Sequence, residues 1–348
     1  MKKKIAVFFG GCSSEHEVSL QSAFSVISNL SPEKYDVVMV GINRQGNWFL
    51  FEGDPQLIAD DAWEQDAYIT SVMMAPSREI HGLVVFRNEG AETITLDAAF
   101  PVLHGKNGED GTIQGLLELA GIPIVGCDLL SSALCMDKVR AHAIAENIGI
   151  KVPRSVEIYA GDPIEPVKEK LREFNYPVFV KPVNAGSSIG MSKIHDEALL
   201  EDAIKLAFEH DKFVTIEEGI DGFEVGCAIL GNRDLIISPV DEIELFIDFF
   251  DYTEKYTQNF TKIHFPARID DETAEKIRET AGRVYKALGC RGFARVDLFL
   301  NSKKEIVFNE VNTIPGMTTH SRYPNMLKGL GITYPALMDK LVELAFEA

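Results

Sequence analysis

Two short apolar runs near residue 300 constrain the fold more than any other part of the chain. The runs are FARVDLFL, which starts at Phe293, and EIVFNEVN, which starts at Glu305, and they flank the polar turn 301–304. Apolar runs of this length on either side of such a turn predict a β-hairpin. Both runs also carry polar residues that an ordinary core strand does not need, which indicates a second use for one face of the hairpin.

One face of this hairpin collects charged and amide side chains. Because side chains alternate across a strand, Arg295 and Asp297 share one face of the first run. Glu310 and Asn312 share one face of the second run for the same reason. Carboxylates, completed by water and phosphate oxygens, are the usual ligands of Mg²⁺ where a nucleotide is used. The face therefore predicts a magnesium site, and for the hairpin taken alone the alternative is a solvated face with one ion pair.

Composition and charge limit the classes of protein to which the chain can belong. With 348 residues, 46% of them hydrophobic, it is long enough for two or three domains with cores of their own. The formal net charge of −19 argues against sequence-independent binding to nucleic acid or to an anionic membrane. Five cysteines without C-x-x-C spacing fit a reducing cytosol. The first apolar run is too short for a signal segment or a membrane span, so we expect a cytoplasmic protein.

The first 126 residues contain two strand–loop–helix patterns. The run Ile5 to Phe9, followed by Gly-Gly and a helical pattern, predicts a buried parallel strand that leads into a ligand-binding loop. The loop places Ser13, Ser14, Glu15, His16 and Glu17 favourably for a ligand. Glu17 either binds one or only favours the positive end of a helix. A second, glycine-rich loop follows the apolar run that ends at His104, and its glycines either admit a ligand close to the backbone or merely form turns. The G-x-G-x-x-G fingerprint is absent from the first loop, which disfavours a dinucleotide.

Two lysines and a loop rich in glycine and serine mark the middle of the chain. Lys138 is predicted in the first turn of a helix, where a cation opposes the helix dipole. Lys181 stands in an otherwise apolar strand, where a lysine is costly unless it meets an anion. The loop NAGSSIGMS, residues 184–192, follows at once, and its backbone donors suit phosphates. We interpret the three features as a phosphate-binding region in preference to a flexible hairpin.

The remaining features favour ATP chemistry without a P-loop. Glu217, Glu218 and Glu224 are predicted at strand ends, where carboxylates accept hydrogen bonds from a ribose, hold a metal, or are simply solvated. The segment 246–262 is aromatic and charged without periodicity, which predicts a lid that shields a reaction from water. The Walker and protein-kinase patterns are absent. Phosphoryl transfer depends mainly on positioning and charge neutralisation, which lysines and Mg²⁺ would supply.

Several short motifs together resemble one family. They are HEVSL, HGKNGEDG, MDK, GSSIGMS, FDYTEKY, RVD and NEVNTIPGMT, and they occur along the whole chain in the order found in the ATP-grasp D-alanine:D-amino acid ligases. The resemblance implies an α/β, ATP-grasp fold of three α/β domains, with ATP between the central and carboxyl-terminal ones. We place these domains at 1–126, 127–214 and 215–348. The resemblance also implies that ATP phosphorylates the carboxylate of a first D-alanine, and that the amine of a second D-amino acid attacks the acyl phosphate.

The same resemblance assigns roles to individual residues. It implies two Mg²⁺ ions, which Mn²⁺ can replace, held by Asp297, Glu310 and Asn312. It implies that Arg295 stabilises the developing oxyanion and that Lys255 contacts phosphates. It implies that Glu17 binds the first ammonium group and latches the lid with Ser187 and Tyr256. The residues implied for the nucleotide are Lys138, Lys181, Ser188, Glu217, Ile220, Glu224, Phe249 and Asn309. The residues implied for the amino acids are His104, Asp241, Phe250, Ser321 and Arg322.

The second substrate is the point at which this chain departs from the usual pattern of the family. Ordinary members have leucine and tyrosine where this chain has Arg322 and Phe250, and both positions lie beside the second amino acid. A leucine suits a methyl group, whereas an arginine offers up to five donors to a hydroxymethyl group. The chain therefore resembles the D-alanine:D-serine ligases of vancomycin resistance, of the VanG kind, which alter peptidoglycan precursors. The alternative is that Arg322 pairs with Asp241 or Glu244, which leaves ordinary D-alanyl-D-alanine synthesis for the cell wall.

Three further alternatives and one expectation complete the prediction. A D-lactate-adding enzyme is disfavoured, because the lid lacks the histidine that those enzymes carry. A nucleotide-binding regulatory module would keep the lysines but release no phosphate. Another ATP-grasp carboxylate–amine ligase would use a different acid. A homodimer is expected from the resemblance alone.

Overall fold

The amino-terminal part of the protein is built on a sheet whose first strand is the predicted apolar run. The computed structural model describes residues 2–245 and 261–347. The elements of the amino-terminal part are β1 (Lys3–Gly10), α1 (His16–Asn29), β2 (Tyr35–Ile42), β3 (Trp48–Phe51), α2 (Gln56–Ala59), β4 (Ile69–Met74), β5 (Gly82–Arg87), β6 (Gly90–Thr95), β7 (Ala98–Pro101) and α3 (Thr112–Ala120). The strand order is β6-β5-β4-β3-β2-β1-β7. β1 is parallel to both β2 and β7, and the strands from β2 to β6 pair antiparallel.

The position of β1 follows from its apolar sequence. Every side chain from Ile5 to Phe9 has an exposure of 0%, because a central parallel strand is covered on both faces. The strand ends at Gly10, whose φ is +88° and where a Cβ would lie 2.2 Å from the carbonyl oxygen of Ile42. Only glycine fits this turn, and it directs the chain into the loop before α1. The predicted buried parallel strand is thus confirmed.

The central part carries a smaller, antiparallel sheet. Its elements are α4 (Leu129–Met136), α5 (Lys138–Asn147), β8 (Ser155–Tyr159), α6 (Glu165–Leu171), β9 (Val178–Pro182), β10 (Ser192–Ile194), a 3₁₀ helix (Glu197–Leu199), α7 (Leu200–Phe208) and β11 (Phe213–Glu218). The sheet order is β10-β9-β11-β8. Asp137 caps α5 by accepting a hydrogen bond from the backbone N–H of Arg140 at 2.9 Å. Lys138 therefore begins α5, in the first turn where it was predicted.

The carboxyl-terminal part contains the predicted hairpin. Its elements are β12 (Gly222–Leu230), β13 (Ile236–Ile237), β14 (Asp241–Leu245), β15 (Thr261–His264), α8 (Asp271–Ala287), β16 (Phe293–Asn301), β17 (Ile306–Asn312), α9 (Arg322–Lys328) and α10 (Tyr334–Ala345). The sheet order is β15-β14-β12-β16-β17, with β13 beside β12. β16 and β17 pair antiparallel around the polar turn, which confirms the hairpin. Of the helices that the structure describes, none is long and apolar enough to span a membrane.

Hydrophobic packing crosses the predicted domain divisions. Tyr323 of α9 and Leu341 of α10 share one core cluster with Ile5 of β1, so the end of the chain packs on the amino-terminal sheet. The predicted division between residues 214 and 215 cuts through β11. Because β11 pairs with β8 and β9 over its whole length, the four-stranded sheet extends to Glu218. The division between residues 126 and 127 stays a prediction.

Candidate active site

The charged face of the hairpin is assembled from the four predicted residues. Arg295 lies opposite Asn312, and Asp297 lies opposite Glu310. Arg295 donates to both oxygens of Asp297, at 2.8 Å from Nε to Oδ1 and at 2.7 Å from Nη2 to Oδ2. The amide Nδ2 of Asn312 donates to the same Oδ2 at 2.9 Å. Since Asp297 is only 1% exposed, these donors hold its carboxylate in one orientation.

A second arginine enters the same cluster from α9. Arg322 donates from Nε and Nη2 to the two oxygens of Asp241, both at 2.8 Å, and from Nη1 to Glu224 Oε1 at 3.0 Å. Its Nη2 also lies 3.3 Å from Asp297 Oδ1. The Arg322 side chain is 11% exposed. The carboxylates of Asp241, Glu224 and Asp297 therefore surround a nearly buried guanidinium. The pairing with Asp241, predicted as the alternative for Arg322, is therefore formed.

Space for this guanidinium comes from a glycine in β12. Gly226 pairs with Asp241 on one side and with Asp297 on the other. A Cβ at Gly226 would lie 2.5 Å from Arg322 Nη2, 2.8 Å from Asp297 Oδ1 and 2.9 Å from Asp241 Oδ1. Carbon atoms do not approach polar atoms that closely, so a side chain at this position would displace the guanidinium or the two carboxylates. Sequence patterns did not reveal Gly226, because a glycine within an apolar strand carries no sign of what lies over it.

The two phosphate lysines of the prediction lie at the glycine- and serine-rich loop and in the strand before it. Lys138 Nζ donates to the carbonyl of Ala185 at 2.5 Å and lies 3.8 Å from Glu310 Oε2, so it links the loop to the hairpin. Lys181 Nζ donates to Glu217 Oε2 at 2.7 Å. Each lysine side chain is 12% exposed. Their burial beside carboxylates satisfies the requirement that a nearly buried lysine meets an anion.

Glu217 has one oxygen that no described group satisfies. The residue is 2% exposed, and its Oε1 is buried without a hydrogen-bond partner among the residues that the structure describes. Burial raises the pKa of Glu217, but the surrounding positive charges, Lys181 foremost, outweigh burial and hold the pKa below its usual value. An ionised, buried acceptor without a donor fits a ligand that brings one, such as an amino or hydroxyl group of a nucleotide. The residues present therefore fit the predicted nucleotide.

The carboxylate that contacts the glycine- and serine-rich loop is Glu15, and the prediction of Glu17 as the partner of Ser187 is wrong. Ser187 Oγ donates to Glu15 Oε1, and Glu15 is 7% exposed. The Glu17 side chain is 79% exposed and pairs with Arg44 at 3.1 Å. Residues two apart point about 200° apart around a helix, so when Glu15 at the start of α1 faces inward, Glu17 faces solvent. The motif HEVSL includes Glu17 but not Glu15, so it indicated the glutamate that does not contact Ser187.

His104 and Glu109 lie where the amino-terminal part meets the end of the hairpin. His104 is 5% exposed, and its Nε2 lies 3.2 Å from Ser22 Oγ. Burial lowers the pKa of His104 to about 4, which leaves the ring neutral at pH 7. Burial raises the pKa of Glu109 to about 8, and the charge of Glu15 adds to this rise. Glu109 was not predicted as a site residue, although it lies within the motif HGKNGEDG.

The other predicted residues are placed as follows. Ser321 precedes α9, and its Oγ accepts a hydrogen bond from the backbone N–H of Thr318 at 3.0 Å. The carbonyl of Asn309 accepts one from His142 Nε2 at 2.8 Å. Ser188 has a φ of 60° in the glycine- and serine-rich loop, and Ile220 is half-buried between β11 and β12. Glu224 contacts Arg322 as described above. Four predicted residues lie outside the described residues, namely Phe249, Phe250, Lys255 and Tyr256.

The donor set at the hairpin fits Mg²⁺ only when other ligands take part. Within the described residues, no three or more histidine, cysteine, aspartate or glutamate side chains are grouped so as to hold a metal ion. The predicted set supplies two carboxylates, Asp297 and Glu310, and the amide oxygen of Asn312. Mg²⁺ takes hard oxygen ligands of this type and completes its shell with water and phosphate oxygens. The face therefore suits an ion that arrives with a nucleotide.

Comparisons with known proteins agree with this arrangement. The family model described as D-ala D-ala ligase N-terminus matches residues 4–127, and the one described as D-ala D-ala ligase C-terminus matches residues 144–343. The chain is 47% identical to the vancomycin B-type resistance protein VanB of Enterococcus faecalis, with 99% of each chain covered. It is 44% identical to a D-alanine–D-alanine ligase of Thermoanaerobacter, covering 100% of this chain and 97% of the relative. The crystal structure of the VanG D-Ala:D-Ser ligase from Enterococcus faecalis superimposes with a TM-score of 0.92 at 52% identity, covering 99% of this chain and 100% of that one.

Proposed function

Because this chain belongs to the D-ala D-ala ligase family of ATP-dependent ligases that form a peptide bond, we propose that it joins D-alanine to D-serine. Its fold is the ATP-grasp fold of that family, as predicted. The product would be D-alanyl-D-serine for altered peptidoglycan precursors, in a setting of vancomycin resistance. The second candidate is D-alanyl-D-alanine for ordinary cell-wall synthesis, and a specific contact of Arg322 favours it, as described below.

The first part of the reaction uses the lysines and the hairpin. Lys138 and Lys181 would neutralise phosphate charge, and Mg²⁺, when bound by Asp297 and Glu310, would supply further neutralisation of the transferring phosphoryl group. The orphan oxygen of Glu217 would accept from the nucleotide. The phosphoryl group passes to the carboxylate of the first D-alanine and makes that carbon electrophilic.

The second part of the reaction takes place between the amino-terminal part and the hairpin. Glu15, in place of the predicted Glu17, would bind the ammonium group of the first D-alanine, because its nearly buried carboxylate faces the loop that carries Ser187. The amine of the second amino acid attacks the acyl phosphate, and phosphate leaves. Arg295 would stabilise the oxyanion that develops at the acyl carbon, since a held cation acts there without reorganisation.

The choice of D-serine rests on the geometry of Arg322. A guanidinium has five N–H donors, and the hydrogen bonds to Asp241 and Glu224 use three of them. The fourth, on Nη2, faces Asp297, so the residues that the structure describes leave one N–H of Nη1 for a substrate hydroxyl. Asp241 fixes the direction of this donor by holding two of the three guanidinium nitrogens. The VanG ligase, which resembles this chain over its whole length, is described as a D-Ala:D-Ser enzyme.

The same contacts support the second candidate. Three carboxylates already neutralise Arg322, so the side chain does not require a substrate hydroxyl to be stable in this position. If the remaining donor does not reach the second amino acid, the site accepts a methyl group as readily as a hydroxymethyl group. An apolar pocket rejects an added hydroxyl by only about 10²-fold, whereas a site that bonds the hydroxyl rejects the analogue lacking it by about 10⁴-fold. Product ratios therefore separate the two candidates.

Competition between labelled D-serine and D-alanine at equal concentration tests the proposal. We expect mainly D-alanyl-D-serine from the unmodified protein, and a fall of at least about 10-fold in its ratio to D-alanyl-D-alanine for Arg322→Leu. The matched control is Lys328→Leu, which removes an exposed cation from the same helix. Mainly D-alanyl-D-alanine from the unmodified protein would reject the preference for D-serine and leave the ligase activity standing.

Several finer expectations stay predictions. They are the presence of two Mg²⁺ ions, their replacement by Mn²⁺, a cytoplasmic location and a homodimer. Light scattering at micromolar protein concentration would reject the homodimer if it gave the mass of a single chain.

A further inference from the structure

A loop that follows the hairpin is held by side chains of the amino-terminal part. This loop, residues 313–321, ends at Ser321 and is called the substrate loop below. Ser22 of α1 accepts a hydrogen bond from the backbone N–H of Met317 at 3.2 Å, and Ser22 has an exposure of 0%. Glu109 Oε1 accepts a hydrogen bond from the backbone N–H of Ile314 at 3.2 Å.

The second oxygen of Glu109 binds the other side of the site. Glu109 Oε2 accepts a hydrogen bond from the backbone N–H of Gly105 at 2.8 Å. A Cβ at Gly105 would lie 2.7 Å from Glu15 Oε2, so the backbone of Gly105 is packed directly against the carboxylate assigned to the first ammonium group. One carboxylate thus connects the backbone beside Glu15 with the backbone of the substrate loop.

The environment of Glu109 is unfavourable for a carboxylate. The residue is partly buried in the glycine-rich loop, and burial together with the charge of Glu15 raises its pKa to about 8. When Glu109 is ionised, it repels the carboxylate of Glu15, which an alanine or a glutamine at position 109 would not do. The hydrogen bonds from the backbone N–H groups of Gly105 and Ile314 oppose this rise in pKa, because they stabilise the ionised form.

We infer that Glu109 is a positioning residue for the second substrate, which it serves by bonding Gly105 and Ile314 at once and so holding the substrate loop in register with the first-substrate side. Glu109 would touch neither amino acid itself. It acts through the substrate loop, which ends at Ser321 and is followed directly by Arg322. The inference rests on the proposed assignment of those two residues to the second amino acid, and it holds for D-serine and for D-alanine alike.

The test compares Glu109→Gln with a matched control. Glutamine has nearly the same shape, but its amide accepts at one oxygen only and turns an N–H group toward the other backbone N–H. We expect KM for the second amino acid to rise by about 10-fold or more, because one buried backbone N–H group loses its acceptor. We expect KM for ATP and for the first D-alanine to stay within about twofold. The control is Glu79→Gln, the same change at an exposed glutamate of the same part of the protein.

Each outcome of this experiment bears on the inference. A selective rise in KM for the second amino acid, with Glu79→Gln unchanged, supports it. Equal kinetics of Glu109→Gln and Glu79→Gln overturn the inference. A fall in kcat alone, in proportion to the fraction of folded protein, also overturns it, because it would show a purely structural role for Glu109. A rise confined to the first D-alanine also overturns it. The wild type, assayed in parallel, reports on the ligase activity itself, and its failure to form any dipeptide would overturn both proposals.

Discussion

Glu15 and Glu17 provide a matched pair of substitutions that separates the two possible carboxylates at the start of α1. Glu15→Gln and Glu17→Gln are the same chemical change, made two residues apart in one segment. We expect Glu15→Gln to impair binding of the first D-alanine strongly and Glu17→Gln to leave activity nearly unchanged. The expectation follows from their surroundings, since Glu15 is 7% exposed and contacts Ser187, whereas the Glu17 side chain is 79% exposed.

The magnitude follows from what each change removes. At Glu15, glutamine keeps the shape but removes the charge that an ammonium group would meet, and a hydrogen bond between charged partners contributes about 1.5–3 kcal/mol. This corresponds to a rise of about 10- to 150-fold in KM for the first D-alanine. At Glu17, the change removes an exposed pair with Arg44, and exposed pairs contribute about 0–1 kcal/mol. Its effect on activity is expected to be about twofold or less.

The assay measures phosphate release while the concentration of the first D-alanine is varied at a saturating concentration of the second amino acid. Thermal unfolding of each variant shows whether the fold is kept. Near-normal kinetics for Glu15→Gln would refute the assignment of the ammonium group to Glu15. Strong impairment by Glu17→Gln in a folded protein would restore the glutamate that the motif HEVSL indicated and would contradict the structural argument.

Two further predictions concern Gly226 and His104. Gly226→Ala places a methyl group 2.5 Å from Arg322 Nη2, so we expect a loss of about 1–3 kcal/mol in stability and a lower ratio of D-serine to D-alanine products. The control is Gly282→Ala, whose methyl group meets only the end of the Ile237 side chain. An unchanged ratio and melting temperature would contradict this. The pKa of His104 is about 4 in the folded protein and 6.5 in the unfolded chain, so the unfolded state binds more protons between these pH values. The free energy of unfolding should therefore fall by up to about 3 kcal/mol as the pH drops from 6.5 to 4. Urea unfolding of His104→Gln should show a weaker pH dependence, and an unaltered one would argue against the buried neutral ring.

Local patterns of the sequence predicted the elements that depend on neighbours along the chain. The apolar run of β1 is buried throughout, and the two runs around residues 301–304 form the hairpin with the expected alternation. Strand alternation placed Arg295 with Asp297 on one face, because a period of two residues is a local property of the backbone. The ATP-grasp fold followed from motifs that are spread over the whole chain in a characteristic order.

What only the tertiary structure decided are the contacts between distant segments. Whether Glu15 or Glu17 faces the site depends on how α1 is rotated against the loop at Ser187, and two glutamates so close in sequence do not reveal that rotation. The partners of Arg322 come from the three strands β12, β14 and β16. The space for its guanidinium depends on Gly226, which lies far from it along the chain. Glu109 joins Gly105 to Ile314, which lies 205 residues beyond Glu109 along the chain. Motifs therefore determined which residue types the site contains. Which of those side chains meet was decided by the packing of distant segments against one another, because no local pattern encodes that packing.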